Sequence, residues 1–276
     1  MTDLFETAYR CLMEPDPARK IALTREASRA WDEGRLTRSA REEAPRPVPD
    51  AGRPERPLLV PPRDVERRSM NTELGRVVLA HALAHIEFNA INIGWDAVYR
   101  FRDMPEDFYT DWIRVAREEA YHFELLQDYM QARGHGYGDF PAHGGLWETV
   151  RRTDDDVMVR MALVPRVLEA RGLDVTPHMQ KKLRQVGDEA LVNILDVIYT
   201  EEKGHVLIGT RWFRYACEGR GVEPRETFRE LLRKYMQGRI KGPYDELGRM
   251  EAGFTAEEID DLKALEKEFE EAMSAG

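Results

Sequence analysis

The chain has 276 residues, of which 42% are hydrophobic and 33% charged, and it carries a formal net charge of −10. That length can bury a core around a site, while only two cysteines, Cys11 and Cys217, exclude a disulfide framework or a four-cysteine zinc module and point to a reducing, cytoplasmic setting. A basic nucleic-acid footprint is absent, and neither a leader-like start nor an apolar run of about 18 residues suggests export or a membrane.

Glycine, proline and charge cut the sequence into helical stretches with no useful alternating strand pattern, so the fold is expected to be all-α. Asp16-Pro17 opens a helix that Gly34 closes, and residues 1–35 read as a helical segment apart from the rest. Residues 36–70 follow as an arm. Its stretch 36–69 holds eight arginines, six acids and seven of the fifteen prolines without apolar periodicity, which reads as a solvated connector crossing the surface. Four long helices are expected at about 71–102, 106–133, 154–172 and 188–217, making a four-helix bundle over 71–218. A glycine-rich link, 134–147, joins the second to the third. Shorter helices are expected from Pro177 to Val186, from Pro224 to about Gln237 and from Ala256 to about Met273, the last two in an extension over 219–276. Thr255 and Glu258 form a capping box for the last, with Phe254 and Ile259 as its hydrophobic staple. Residues 243–276 hold eleven acids against Arg249, Lys263 and Lys267, so most of the net charge sits there.

The spelling Glu-Glu-x-x-His occurs twice, as Glu118, Glu119 and His122 in the second long helix and as Glu201, Glu202 and His205 in the fourth. Residues three apart share a helix face, so one glutamate and the histidine of each copy can aim at a common point. The apolar stripes choose the glutamate. Trp112, Val115, Glu119, His122, Leu126 and Tyr129 follow steps of three and four, as do Leu191, Ile194, Ile198, Glu202, His205, Gly209 and Trp212, leaving Glu118 and Glu201 to the side. The first long helix has a matching face of Val77, Ala80, Ala84, Glu87, Ile91 and Trp95, and the third has Met158, Ala162, Pro165 and Glu169. Glu87 and Glu119 are 32 positions apart and Glu169 and Glu202 are 33, so two similar helix pairs are implied. Four inward glutamates and two histidines on four helices are the ligand set of carboxylate-bridged dimetal bundles. Hard oxygens with one imidazole per metal suit two iron ions, with Mn/Fe and Mn/Mn as alternative fillings.

Neighbouring residues carry weaker signals. His81 and His85 read as satisfied structural histidines, and His135 and His143 as loop histidines. Asn89, Asn92, Asp128, Asn193 and Asp196 are candidates to fix the far nitrogens of the ligand histidines. Tyr121 and Tyr199 read as core residues with a hydrogen bond, Trp95, Trp112 and Trp212 as core, and Pro165 as a kink before Glu169.

Beyond its ligand pattern, the chain resembles the uncharacterised ferritin-like "domain of unknown function" family numbered four-five-five, a relative of tRNA-modifying di-iron hydroxylases. The resemblance rests on PARK at 17–20, HALAHIEFNAINIGWDAVYRF at 81–101, AREEAYHFELL at 116–126, YTEEKGHVLIGTRWF at 199–213 and KGPYDELGRMEAGF at 241–254. It implies a ferritin-like bundle with Glu87, Glu119, His122, Glu169, Glu202 and His205 as metal ligands. No defined substrate comes with it; a tRNA substrate suggested by the related hydroxylases sits poorly with the acidic balance.

The leading expectation is a di-iron oxidoreductase that uses O2 to oxidise or hydroxylate a small organic substrate, with the arm and the link as lids over its pocket. The alternatives are a ferroxidase or peroxide scavenger without an organic substrate, and an interaction module whose metal is structural or lost.

Overall fold

In the computed structural model, which describes residues 2–38, 44–65, 68–236 and 240–274, the chain is all-α as expected. Residues 39–43 and 66–67 of the arm, and Gln237 at the expected end of one helix, lie outside the described residues. The chain forms two compact units, Met1–Arg151 with Val186–Ile194, and Arg152–Gln185 with Leu195–Gly276.

The first unit contains α1 (Leu4–Met13), α2 (Pro17–Asp32), α3 (Glu73–Arg100), α4 (Glu106–Gln131) and α5 (Gly145–Arg151). Asp16 caps α2 by accepting from the Arg19 amide at 2.8 Å, with Pro17 in the first turn, and Gly34 follows the helix at a φ of +67°. This helix does not stand apart. It packs on α4, where the Trp31 indole donates to Thr110 Oγ1, and its Thr24 accepts from the Trp95 indole of α3. Helix α1, capped by Asp3, which accepts from the Glu6 amide at 2.8 Å, packs on α3 and buries Leu4, Phe5, Ala8, Cys11 and Leu12. Two-residue strands, β1 (Thr2–Asp3) and β2 (Leu36–Thr37), pair in parallel.

Lys20 joins these layers. Its buried ammonium donates to the carbonyls of Cys11 and Leu12 in the last turn of α1, at 3.0 and 2.9 Å, and to Asn92 Oδ1 of α3. Orphan carbonyls at a helix C-terminus thus receive a cation, which the helix dipole also favours.

By length and composition α3 could cross a membrane, contrary to the expectation that no such run exists; 67% of its apolar window is buried. Burial on most of its circumference accounts for that composition.

In the second unit, α6 (Val157–Leu163), a π-helical segment (Val164–Glu169) and α7 (Ala170–Gln185) form one run where two helices are expected. The expected kink at Pro165 takes the form of the π-helical turn, which accommodates the missing amide. Pro177 lies inside α7 rather than opening a new helix. Leu173, Asp174 and Thr176 before it, and Gln180 and Leu183 after it, are all buried, so packing on both sides outweighs the proline penalty of about 3 kcal/mol. The unit continues with α8 (Glu189–Arg220), whose first residues belong to the first unit, then α9 (Pro224–Tyr235), α10 (Glu246–Glu251) and α11 (Ala256–Ser274).

Arg166 of the π segment is fully buried, with its guanidinium over the rings of Phe213, Phe228 and Phe254 at 4.9, 4.1 and 4.5 Å. Glu258 pairs with it at 2.6 Å. Glu258 also closes the expected capping box, accepting from the Thr255 amide while its own amide donates to Thr255 Oγ1. The KGPYDELGRMEAGF stretch is structural as well. Arg249 makes a buried bidentate pair with Asp174 at 2.8 and 2.7 Å, and Arg171 donates to the carbonyls of Lys241, Gly242 and Pro243.

Two substitutions follow from this packing. A Cβ at Gly209 of α8 would stand 2.3 Å from Pro165 Cγ, so Gly209→Ala should lower stability by about 1–3 kcal/mol, read as an earlier thermal midpoint. Glu258→Ala strands the Arg166 charge in an aromatic cage and should cost about 3–5 kcal/mol, measured as a shifted urea midpoint.

Candidate metal centre

Helices α3 and α4 approach closely because small residues face each other. A Cβ on Gly94 would lie 2.8 Å from that of Ala116, so no side chain fits between the two backbones there. Seven residues before Gly94 and three after Ala116, Glu87 and Glu119 meet His122. His122 Nδ1 lies 3.2 Å from Glu119 Oε2 and 3.6 Å from Glu87 Oε2. The three residues are 3, 0 and 0% exposed, and each offers one ligand atom within 4.8 Å of the others. Glu87 Oε2 is shielded from solvent and has no hydrogen-bond partner.

Burial, and then the neighbouring Glu119 carboxylate, push the Glu87 carboxyl well above the usual range, while the nearby His122 imidazole acts the other way. Two carboxylates in a dry core are costly without a cation. Oxygen and imidazole donors fit a divalent transition metal such as iron or manganese, so this buried Glu/His cluster could hold a metal ion.

The second unit carries the matching pair. His205 Nδ1 lies 3.7 Å from Glu202 Oε2, with both residues buried. Each histidine therefore turns Nδ1 toward the glutamate three positions before it, as the repeated spelling predicts. Glu169 ends the π segment, and both its carboxylate oxygens are shielded from solvent. Glu118 and Glu201 are only partly buried, and Glu118 pairs with Arg114 at 3.4 Å, which agrees with the stripe argument.

Other expectations divide. Trp95, Trp112 and Trp212 are core. Tyr199 donates a hydrogen bond to Asp245, but Tyr121 is 44% exposed and is not a core residue, because its position falls outside the α4 stripe. The candidates for fixing the far histidine nitrogens are placed elsewhere. Asn92 accepts from Lys20, Asn89 donates to the His85 carbonyl, Asp196 accepts from Gln180, and Asp128 and Asn193 are exposed.

His81 and His85 are structural, as expected. His81 Nε2 accepts from the Gly138 amide at 2.9 Å, His85 Nδ1 lies 2.8 Å from the Tyr137 hydroxyl, and burial lowers both imidazoles to about 4. Through these contacts the glycine-rich link is held against α3. His135 lies 3.4 Å from Asp139, and His143 is exposed, its Nδ1 accepting from the Gly145 amide.

The arm is more tightly fixed than a solvated connector. Leu59 bridges Ala142 in parallel, Val48, Ala51 and Pro57 are buried, and a Cβ on Gly52 would strike the Met13 carbonyl at 2.2 Å. Arm and link do cover a cavity of about 410 Å³, but its α3 wall is His85, Asn89 and Asn92 and none of the six expected ligands lines it. Asn92 stands five residues from Glu87, about 140° around the helix, so this cavity opens on the side of α3 turned away from Glu87.

No solved structure matches the chain. A protein of Haemophilus influenzae described only as uncharacterized is 49% identical over 236 residues, covering 82% of each chain. The family described as "Protein of unknown function (DUF455)" matches residues 13–260, and the chain belongs to that family.

Proposed function

We propose that the protein is a di-iron oxidase or hydroxylase, ferritin-like in arrangement, that uses O2 on a small organic substrate in the cytoplasm. Glu87, Glu119 and His122 would hold one ion, and Glu169, Glu202 and His205 the other. The observation that carries this reading is the buried convergence of Glu87, Glu119 and His122 Nδ1, a donor set that a metal cation would satisfy. The second copy, Glu202 with His205 Nδ1, supports a paired centre because spacing, burial and presented nitrogen are the same. Manganese in one or both positions would satisfy the same donors.

When bound, two redox-active ions supply the electrons that reduce O2. The chain's own part is to bind and to exclude. The glutamates would neutralise the ions, each histidine keeps Nδ1 toward its glutamate, and the surrounding apolar stripes would keep water from the ligands. Cys11 and Cys217 are free and buried, and burial pushes their thiols up to about 12 and about 11, which keeps both in the thiol form. Free buried thiols accord with a reducing compartment.

Anaerobic titration with ferrous iron should saturate at about two ions per chain, and O2 admitted afterwards should be consumed slowly until an organic substrate is supplied. Uptake of many ions with a mineral product would favour the ferroxidase alternative, and no uptake would favour an interaction module. His205→Ala should reduce the iron bound per chain, measured by metal analysis, with helix content by circular dichroism retained. Unchanged iron content would remove His205 from the ligand set.

A further inference from the structure

The cavity of about 410 Å³ under the arm and link, within the range of small-molecule sites, is unused by the metal reading. Its floor carries a polar group without a protein partner. Asn92 is 1% exposed, and its Oδ1 accepts from the Lys20 ammonium, which can only donate. The amide oxygen is therefore turned toward Lys20, and the Asn92 Nδ2 group, which has no acceptor among the described residues, is left to the cavity that Asn92 lines. That donor is open to the cavity, where an acceptor on a bound molecule can reach it.

The walls narrow the chemistry of what enters. Trp147 is 8% exposed and is held by its indole N–H, which donates to the Pro49 carbonyl at 3.2 Å. Its ring thus forms a fixed apolar wall, continued by Leu59, Val60 and two prolines of the arm. Around the mouth stand two cations, Arg53 and Arg151, and two anions, Asp50 and Glu148. None of the four makes an ion pair among the described residues; Arg53 donates only to the Pro54 carbonyl. A bare anion would meet Asp50 and Glu148, and a bare cation the two guanidiniums. A molecule bearing both charges can satisfy all four.

We infer that this cavity is a binding site for a small zwitterion with an apolar side group, the chemistry of an α-amino acid. The carboxylate accepts from Asn92 Nδ2 and the arginines, the ammonium faces Asp50 and Glu148, and the side group lies on Trp147. Lys20 is a positioning residue, since it holds Asn92 with its amine outward. Binding there requires no metal.

Calorimetric titration of the full chain, metal-free, with L-phenylalanine should show one saturable site. 3-Phenylpropionate, which lacks the amine, and phenethylamine, which lacks the carboxylate, should each bind at least tenfold more weakly. Arg151→Gln, at the exposed mouth and therefore harmless to folding, should weaken phenylalanine binding about tenfold, and Asn92→Ala should do so to a similar extent. No saturable phenylalanine heat would overturn the assignment. Equal binding of phenylpropionate would make this an anion site and overturn the zwitterion, and full affinity in Arg151→Gln would place the ligand elsewhere.

Discussion

A carboxylate taken out of water must find a partner, and α3 and α4 bring two of them, Glu87 and Glu119, against a single imidazole. Much of the first unit can be understood as what holds that unfavourable grouping in place. The Gly94–Ala116 approach sets the separation of the two helices a turn or two away. At the far end of α4, Asp188 accepts from Tyr129 and from Arg76 at 2.6 Å each, and its other oxygen accepts from the Leu191 amide, so the start of α8 is fixed to both α3 and α4. Outside, α1 and α2 cover the pair, with Lys20 as the tie between layers. Helices so supported cannot splay to let water reach the carboxylates, which is the property a buried ligand set needs.

The second unit meets a similar constraint with a cation. The π turn that carries Pro165 toward Glu169 also turns Arg166 inward, and a guanidinium in a dry core is as demanding as a carboxylate. Glu258 answers the charge, and three phenylalanines cover the remaining faces where Nε and Nη1 have no hydrogen-bond partner. Glu258 sits in the first turn of α11, so the capping box and the ion pair share one side chain. The acidic end of the chain is thereby partly structural, and its charge is not simply a solvated tail.

How far all this could be read beforehand depended on periodicity. The stripes of α3, α4 and α8 repeat at helical spacing over several turns, so the choice of Glu119 over Glu118 and of Glu202 over Glu201 was legible, as were Glu87 and the helix limits to within a few residues. Proline misled in one place because the cost of a proline inside a helix is local, whereas the burial that overrides it at Pro177 comes from residues on both sides. The hold on the arm was illegible for a related reason. Extended segments bury alternate or isolated residues such as Val48 and Ala51 and pair through backbone groups, as Leu59 does with Ala142, and neither leaves a periodic mark. Nor could spacing reveal that Asn92 would turn to Lys20 rather than to a histidine, since that contact joins residues 72 positions apart.

The same helix therefore presents two chemistries on opposite sides. Glu87 faces the buried Glu/His cluster that could hold a metal ion, while His85, Asn89 and Asn92 line the cavity under the arm. Because α3 is buried nearly all round, neither face can shift without moving the other.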